Sequence, residues 1–377
     1  LRGGAAAVGD SHMVAVGAGG ETFAWGLSDR GQCAQGDGAA EVRSGPAVVL
    51  ALDDQQVTAV ACGFEHSVAA LAPGGVVAWG SDEYGQCGVG KPSADEMALK
   101  DFYSNPKIVR VLKGVRVRAV ACGAYHSLCL TMDSAVFAWG HNASGQLGIG
   151  DREDRHMPDQ VDALWGLPLR QVAAGETHSA ALTMHGHVFT WGRPKKGQLG
   201  LPAEAARGPP REEASWLPRQ RKQFKVKANR RLLNQIVEMG MDRARAEQAL
   251  EATQNQGVEL ALEWLYSEAG AAGGDVEMRD PAEEGAGPAA EAVEAVVLPQ
   301  RVPGLAGVES VHSGPNHMVA CTAGSTWTWG SNHAGQLGQG HAAAVGAPAR
   351  LGELEGVRVV GVACGAGHTL FLSAEGA

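Results

Sequence analysis

Apolar residues along this chain fall into short runs of strand length, and the order of those runs repeats. The clearest copy spans residues 121–150, ACGAYHSLCLTMDSAVFAWGHNASGQLGIG. With the lead-in from Val117 it holds three apolar runs: Gly123 breaks the first from the second, and Met132, Asp133 and Ser134 make the turn before the third. A second copy covers residues 61–90, looser copies begin at Val8, Ala173 and Val311, and an unfinished one starts at Val362. Each carries Gly-x-x-His, a strand ending Trp-Gly, and a Gly-Gln-Leu-Gly-like turn. No helical period or leucine-rich register runs through the units, which argues against a solenoid.

The repeat sets the architecture. His12, His66, His126, His178, His317 and His368 are separated by 54, 60, 52, 139 and 51 residues. The Trp-Gly pairs begin at Trp25, Trp79, Trp139, Trp191 and Trp329, 13 residues after the histidine in the first four copies and 12 in the fifth. A unit of about 50–60 residues with about four short antiparallel strands predicts a β-propeller blade. The next unit's opening strand is marked by a proline at Pro46, Pro106, Pro158, Pro299 and Pro348. The long interval marks an insertion between the turn at 197–200 and Pro299, leaving five to six units in the rest of the chain.

The units resemble those of the regulator-of-chromosome-condensation repeat family over roughly residues 1–200 and 296–377, on the Gly-x-x-His strand, the Trp-Gly strand end and the Gly-Gln-Leu-Gly turn. That family usually closes seven blades. Fewer are present here, each end carries its own histidine strand, and the first residue is Leu1. The expectation is therefore a piece of a longer protein, whose propeller has an open edge.

Within the interval, residues 201–229 form a linker rich in proline and then in basic residues (Arg219, Arg221, Lys222, Lys225, Lys227, Arg230 and Arg231 in the run that enters the next segment). Residues 270–295 form an acidic Ala/Gly/Glu linker too poor in apolar residues to fold. Between them, residues 230–269 switch to helical periodicity. Leu232, Leu233, Ile236 and Val237 line a first helix; Asp242 caps a second that turns Ala246, Ala249 and Leu250 inward. Val258, Ala261, Leu262 and Leu265 form the stripe of a third. The spacing thus predicts a three-helix module inserted into an inter-strand loop of the propeller.

This module resembles a ubiquitin-associated (UBA) domain, on its Met-Gly-hydrophobic loop, the ALEAT segment at 249–253 and the ALEWL ending at 261–265. The resemblance implies an apolar patch of Met239, Gly240, Met241, Leu265 and Tyr266 that docks on ubiquitin or a ubiquitinated protein. Two positions depart from the usual pattern: Met241 stands where Phe or Tyr is usual, and Tyr266 where a second Leu is usual.

Composition narrows the rest. A net charge of −10 gives no global reason to bind nucleic acid or an anionic membrane. No apolar run reaches the ~18 residues of a membrane helix. The seven cysteines follow the repeat, with Cys62, Cys122 and Cys364 at one position and Cys33 and Cys87 where other units have Leu. They read as small core residues in a reducing compartment, cytoplasm or nucleus.

No catalytic residue, metal site or cofactor is indicated. The repeated histidines lie in different blades and cannot converge on one ion; buried imidazoles bonded to neighbouring glycine turns are expected. His185 and His187 flank Gly186 in a turn, a weak metal candidate. Residues 85–91 nearly spell a phosphate-binding loop, but Pro92 stands where Ser or Thr is needed. Trp165, Trp216, Trp264 and Trp327, the tryptophans outside the repeat position, form no close cluster, so light sensing of the kind this repeat supports in plants is not indicated. The basic run at 219–231 reads as a solvated linker, an import signal or a nucleic-acid patch.

The expectation is a non-catalytic interaction scaffold, the propeller holding a protein partner and the helical module holding ubiquitin. Two other roles follow from the resemblances: nucleotide exchange on a Ran-type small GTPase, the founding activity of the repeat family, and membership of a larger ubiquitin ligase.

Overall fold

The computed structural model describes residues 5–37, 42–91, 101–202 and 295–374. The chain divides into two units, one made of residues 1–219 and 293–377 and the other of residues 220–292. Residues 203–294, which hold the three-helix module and nearly all of both linkers, lie outside the described residues.

The described part is mainly β: five four-stranded antiparallel sheets and one two-stranded sheet. Each four-stranded sheet is a meander, or blade. Blade 1 is β1 (Ala6–Val8), β2 (His12–Val16), β3 (Thr22–Leu27) and β4 (Val42–Val48). Blade 2 is β5 (Gln56–Cys62), β6 (His66–Ala72), β7 (Val76–Ser81) and β8 (Phe102–Ile108). Blade 3 is β9 (Val117–Cys122), β10 (His126–Thr131), β11 (Val136–Gly140) and β12 (Arg155–Gln160). Blade 4 is β13 (Leu169–Ala174), β14 (His178–Thr183), β15 (Val188–Gly192) and β16 (Val296–Arg301), and blade 5 is β17 (Ser310–Ser313), β18 (His317–Cys321), β19 (Thr326–Gly330) and β20 (Val345–Arg350). The sixth sheet pairs β21 (Val359–Cys364) with β22 (Thr369–Ser373).

One detail of the repeat boundary is corrected. The proline-marked strand is the fourth strand of its own blade: it pairs with the Trp-Gly strand, as Phe137 with Gln160 in blade 3 and Phe189 with Arg301 in blade 4. Proline has no N–H to give a ladder, so the outer edge of a meander is where it fits. Blade 4 thereby contains the insertion, which runs between β15 and β16.

Strand sequence follows blade packing. The second strands β10 and β14 are buried at every residue, because each lies in a sheet covered by neighbours on both faces. In β2 and β22 buried or half-buried positions alternate with more exposed ones, and Leu370, Leu372 and Val360 in the sixth sheet are exposed. Three apolar clusters fill the inter-blade space, joining blades 1 and 2, blades 2 and 3, and blades 3 to 5. Trp79, Trp139, Trp191 and Trp329 are fully buried within them.

The repeat motif is an inter-blade joint. Trp79, Trp139, Trp191 and Trp329 each donate their indole N–H to the main-chain carbonyl of the glutamine in the preceding blade's turn: Gln32, Gln86, Gln146 and Gln198, at 2.8–3.0 Å. The histidines reach the other way. His12, His66 and His126 bond through Nε2 to Ser67, Ser127 and Ser179 of the following blade, at 2.8–2.9 Å, and His317 reaches Thr369 at 2.9 Å. The sequence suggests glycine turns as their partners; the partner is instead a hydroxyl one blade away.

Glycine enters this joint by close approach. At Gly123 a Cβ would meet the His126 ring and the carbonyl of Gly175, the equivalent glycine of the next blade, so any side chain would force two blades apart. The glycine after the tryptophan has a different reason: Gly140 has φ +97 and lies against the Tyr125 carbonyl.

The hydroxyls also fix the imidazole tautomer. Ser127 donates its proton to the Gln86 carbonyl at 2.8 Å and Ser179 to the Gln146 carbonyl at 2.7 Å, so each must accept from the histidine Nε2–H. Nδ1 of His66, His126, His178 and His317 has no hydrogen-bond partner. Burial accordingly pushes His66, His126 and His178 down to about 3, and His12 and His317 to about 4. These are neutral structural histidines.

Candidate interaction face

Two loop series meet at one end of every four-stranded blade. One is the Gly-x-x-His turn between the first and second strands; the other is the turn after the Trp-Gly strand. In each blade the first residue after Trp-Gly donates its N–H to the carbonyl of the residue before the histidine: Leu27 to Ser11, Ser81 to Glu65, His141 to Tyr125, Arg193 to Thr177, Ser331 to Asn316, all at 2.8–2.9 Å.

The glutamine of Gly-Gln-Leu-Gly then braces the second turn. Its side-chain oxygen accepts the backbone N–H two residues earlier: Arg30, Tyr84, Ser144, Lys196 and Ala334 in blades 1 to 5, at 2.7–3.0 Å. One residue thus holds the turn with its amide and the next blade with its carbonyl. The braced residue differs in every blade, a constant frame with variable tips.

The tips differ in chemistry along the chain. Blades 1 to 3 carry acidic and aromatic residues. The Phe64 and Tyr125 rings meet edge to face with centroids 5.5 Å apart, Tyr84 lies 5.4 Å from Tyr125, and His141 4.6 Å from Tyr84. All four are half-buried. Burial raises the Glu65 carboxyl, with Asp29, Glu83 and Asp10 adding to the effect and Arg30 opposing it. Nearby Glu83 raises the Tyr84 phenol, while burial, followed by Glu65, raises that of Tyr125. Arg30 is bonded to Asp101, its guanidinium 3.0 Å from both carboxylate oxygens, and acts on Glu65 and Asp29 through charge alone. In blade 4 the same turn reads Arg193, Pro194, Lys195, Lys196.

The residues expected to touch ubiquitin, Met239, Gly240, Met241, Leu265 and Tyr266, lie outside the described residues; the insertion that carries them leaves the propeller after the blade 4 turn. The histidines are not brought together, and no group of His, Cys, Asp or Glu among the described residues, His185 and His187 included, could hold a metal. All seven cysteines are free thiols. No helix among the described residues is long and apolar enough to cross a membrane. The aromatic ladder was missed in the sequence, because its members occupy different repeat positions; aligning the units on the bracing glutamine would have exposed Tyr84.

The blade meander, the inter-blade Trp–Gln joints and the His–hydroxyl pairs now stand together with a match of residues 4–239 to the RCC1-like domain model. The chain belongs to the RCC1-like domain family. Residues 323–372 also match the regulator of chromosome condensation (RCC1) repeat, and residues 229–275 match a UBA-like domain.

Among curated proteins, this RCC1-like chain is 39% identical over 194 residues to the ultraviolet-B receptor UVR8 of Arabidopsis thaliana, covering 51% of this chain and 42% of the receptor. It is 29% identical over 367 residues to the human E3 ubiquitin-protein ligase HERC2, covering 96% of this chain and 6% of the ligase. The chain therefore spans less than half the length of these relatives. Among solved structures, Prp20p of Saccharomyces cerevisiae matches with a TM-score of 0.63 at 21% identity, covering 97% of this chain and 68% of that one. That likeness is one of fold.

Proposed function

We propose that this RCC1-like chain is a non-catalytic interaction scaffold, in which the blades hold a partner protein and the inserted module at 230–269 holds ubiquitin or a ubiquitinated protein. The observation that carries this reading is the UBA-like match at residues 229–275, lodged between β15 and β16 of one blade. The docking patch is Met239, Gly240, Met241, Leu265 and Tyr266. Such a module offers an interface well below the ~1,200 Å² of a standard stable complex, so it binds weakly alone. Tethered to a propeller that holds the same client, it gains from effective concentration. The free thiols support a reducing compartment, cytoplasm or nucleus, as its site of action.

The test is retention of the full chain on immobilised ubiquitin, compared with the double substitution Met239→Glu, Leu265→Glu. Retention lost in the variant, with blade stability unchanged, supports the patch; equal retention removes it.

A second reading is favoured by the likeness to HERC2, which runs through 96% of this chain and therefore across the insertion. On that reading this propeller and its insertion are the client-binding part of a larger ubiquitin ligase whose catalytic segment lies elsewhere. The size of the endogenous protein detected with an antibody to blades 1–3 distinguishes the two.

A further inference from the structure

Every blade presents the same frame at its loop end, yet blades 2 and 3 put an aromatic ladder there, with carboxylates of blades 1 and 2 beside it. Phe64, Tyr125 and Tyr84 follow one another with centroids 5.4–5.5 Å apart, and each ring keeps part of its surface exposed. No repeat position demands them: blade 4 has Glu176, Lys196 and Thr177 at the places of Phe64, Tyr84 and Tyr125. Glu65, Glu83, Asp10 and Asp29 lie close enough to influence the protonation of one another or of the tyrosines. The neighbouring cation, Arg30, is held by Asp101.

Exposed aromatic faces beside like charges attract one kind of group strongly. A guanidinium stacks on an aromatic face and pairs with carboxylates through the same planar fork. An ammonium gains the charge but not the stacking, and an apolar segment would leave the carboxylates crowded and unpaired.

We propose that the ledge formed by Phe64, Tyr84 and Tyr125 with Glu65, Glu83 and Asp10 binds an arginine-rich segment of the partner protein. This rests on the propeller half of the scaffold reading and names the chemistry of that partner. It is independent of the ubiquitin patch.

The test uses the full chain and fluorescence anisotropy with a short fluorescein-labelled arginine-rich peptide, its all-lysine version and its all-glutamine version. The arginine peptide should bind several-fold more tightly than the lysine version, and the glutamine version should not bind. Tyr84→Ala and Tyr125→Ala should each weaken arginine-peptide binding by about three- to ten-fold, the range of a partly exposed cation–π contact with its packing. Glu83 is exposed, so Glu83→Gln keeps the fold and should also weaken binding, whereas Glu353→Gln, an exposed charge in the turn after blade 5, should not. Equal affinity for arginine and lysine peptides, or Tyr84→Ala and Glu83→Gln binding like the parent, overturns the proposal. Retention on ubiquitin, measured on the same preparations, separates loss of this ledge from failure of the scaffold reading itself.

Discussion

His178 of blade 4 bonds through Nε2 to the Ser313 hydroxyl of blade 5 at 3.0 Å, although Ser313 is not the residue that fills this role elsewhere. In the other joints the hydroxyl follows the next histidine directly, as in Ser67, Ser127, Ser179 and Thr369. Blade 5 has Met318 there, and Ser313 lies directly opposite Met318 across the β17–β18 ladder. The hydroxyl has crossed to the neighbouring strand, at the joint of the blade that carries the insertion.

Removing that hydroxyl should therefore matter. Ser313→Ala leaves a buried Nε2–H unpaired and should cost about 1–3 kcal/mol, measured by chemical denaturation. Met318→Ser should be less destabilising in the Ser313→Ala background than alone, because it restores a hydroxyl at the usual place. Additive effects would mean that the two positions do not share this role.

Acid should loosen the blades through the histidines. Five of them have folded values lowered from 6.5 to about 3 or 4, so the folded state holds them neutral while the unfolded chain takes up protons. Their contribution is complete above about pH 6.5 and is lost as pH falls toward the folded values. Asp82 acts in the opposite sense: burial lifts its carboxyl from 3.8 to about 7, so its contribution is present below 3.8 and is lost as pH rises toward 7. Glu65, also raised by burial, acts in the same sense as Asp82, but the five histidines outnumber the two carboxyls and give a net loss on acidification. The melting temperature should fall by about 10 °C or more between pH 7 and pH 5. A flat profile over that range contradicts the neutral-histidine joint.

Close approach at the inter-blade glycines makes a sharper mutational claim. Gly123→Ala places a methyl against the His126 ring and the Gly175 carbonyl, and should destabilise the chain by more than about 3 kcal/mol. Alanine at Gly114, where a Cβ meets nothing within 4 Å but φ is +80, should cost only about 1–2 kcal/mol of backbone strain. Denaturation midpoints of the two variants check the order.

The thiols should be silent in the folded chain. Burial pushes Cys62, Cys129 and Cys364 up to about 12, and lifts Cys87 and Cys122 well above the ordinary thiol range. At pH 8 these five thiols should resist a thiol-specific reagent, and all seven should react after denaturation. Rapid native labelling of these positions contradicts the raised thiol values, most directly at the fully buried Cys87 and Cys129.

Much of this architecture was legible in the sequence, for a physical reason. Trp79, Trp139, Trp191 and Trp329 make one hydrogen bond four times over, so the same letters had to return at the same spacing. The partners were not legible. His66 and Ser127 lie 61 residues apart, and nothing local links them. Ser313 was hidden because only strand register puts it opposite Met318. The proline strand reads from sequence as the opening of the next unit because sequence order does not say which neighbour an edge strand pairs with. The aromatic ledge escaped notice because Phe64, Tyr84, Tyr125 and His141 meet only once two loop series are stitched together.

The central claim concerns the insertion, and the most direct measurement is an NMR titration of ¹⁵N-labelled ubiquitin with the full chain. The account predicts resonance changes confined to ubiquitin's apolar face, saturating at micromolar to high-micromolar concentration, and absent with the Met239→Glu, Leu265→Glu chain. An unchanged ubiquitin spectrum, or identical changes with that variant, would contradict it.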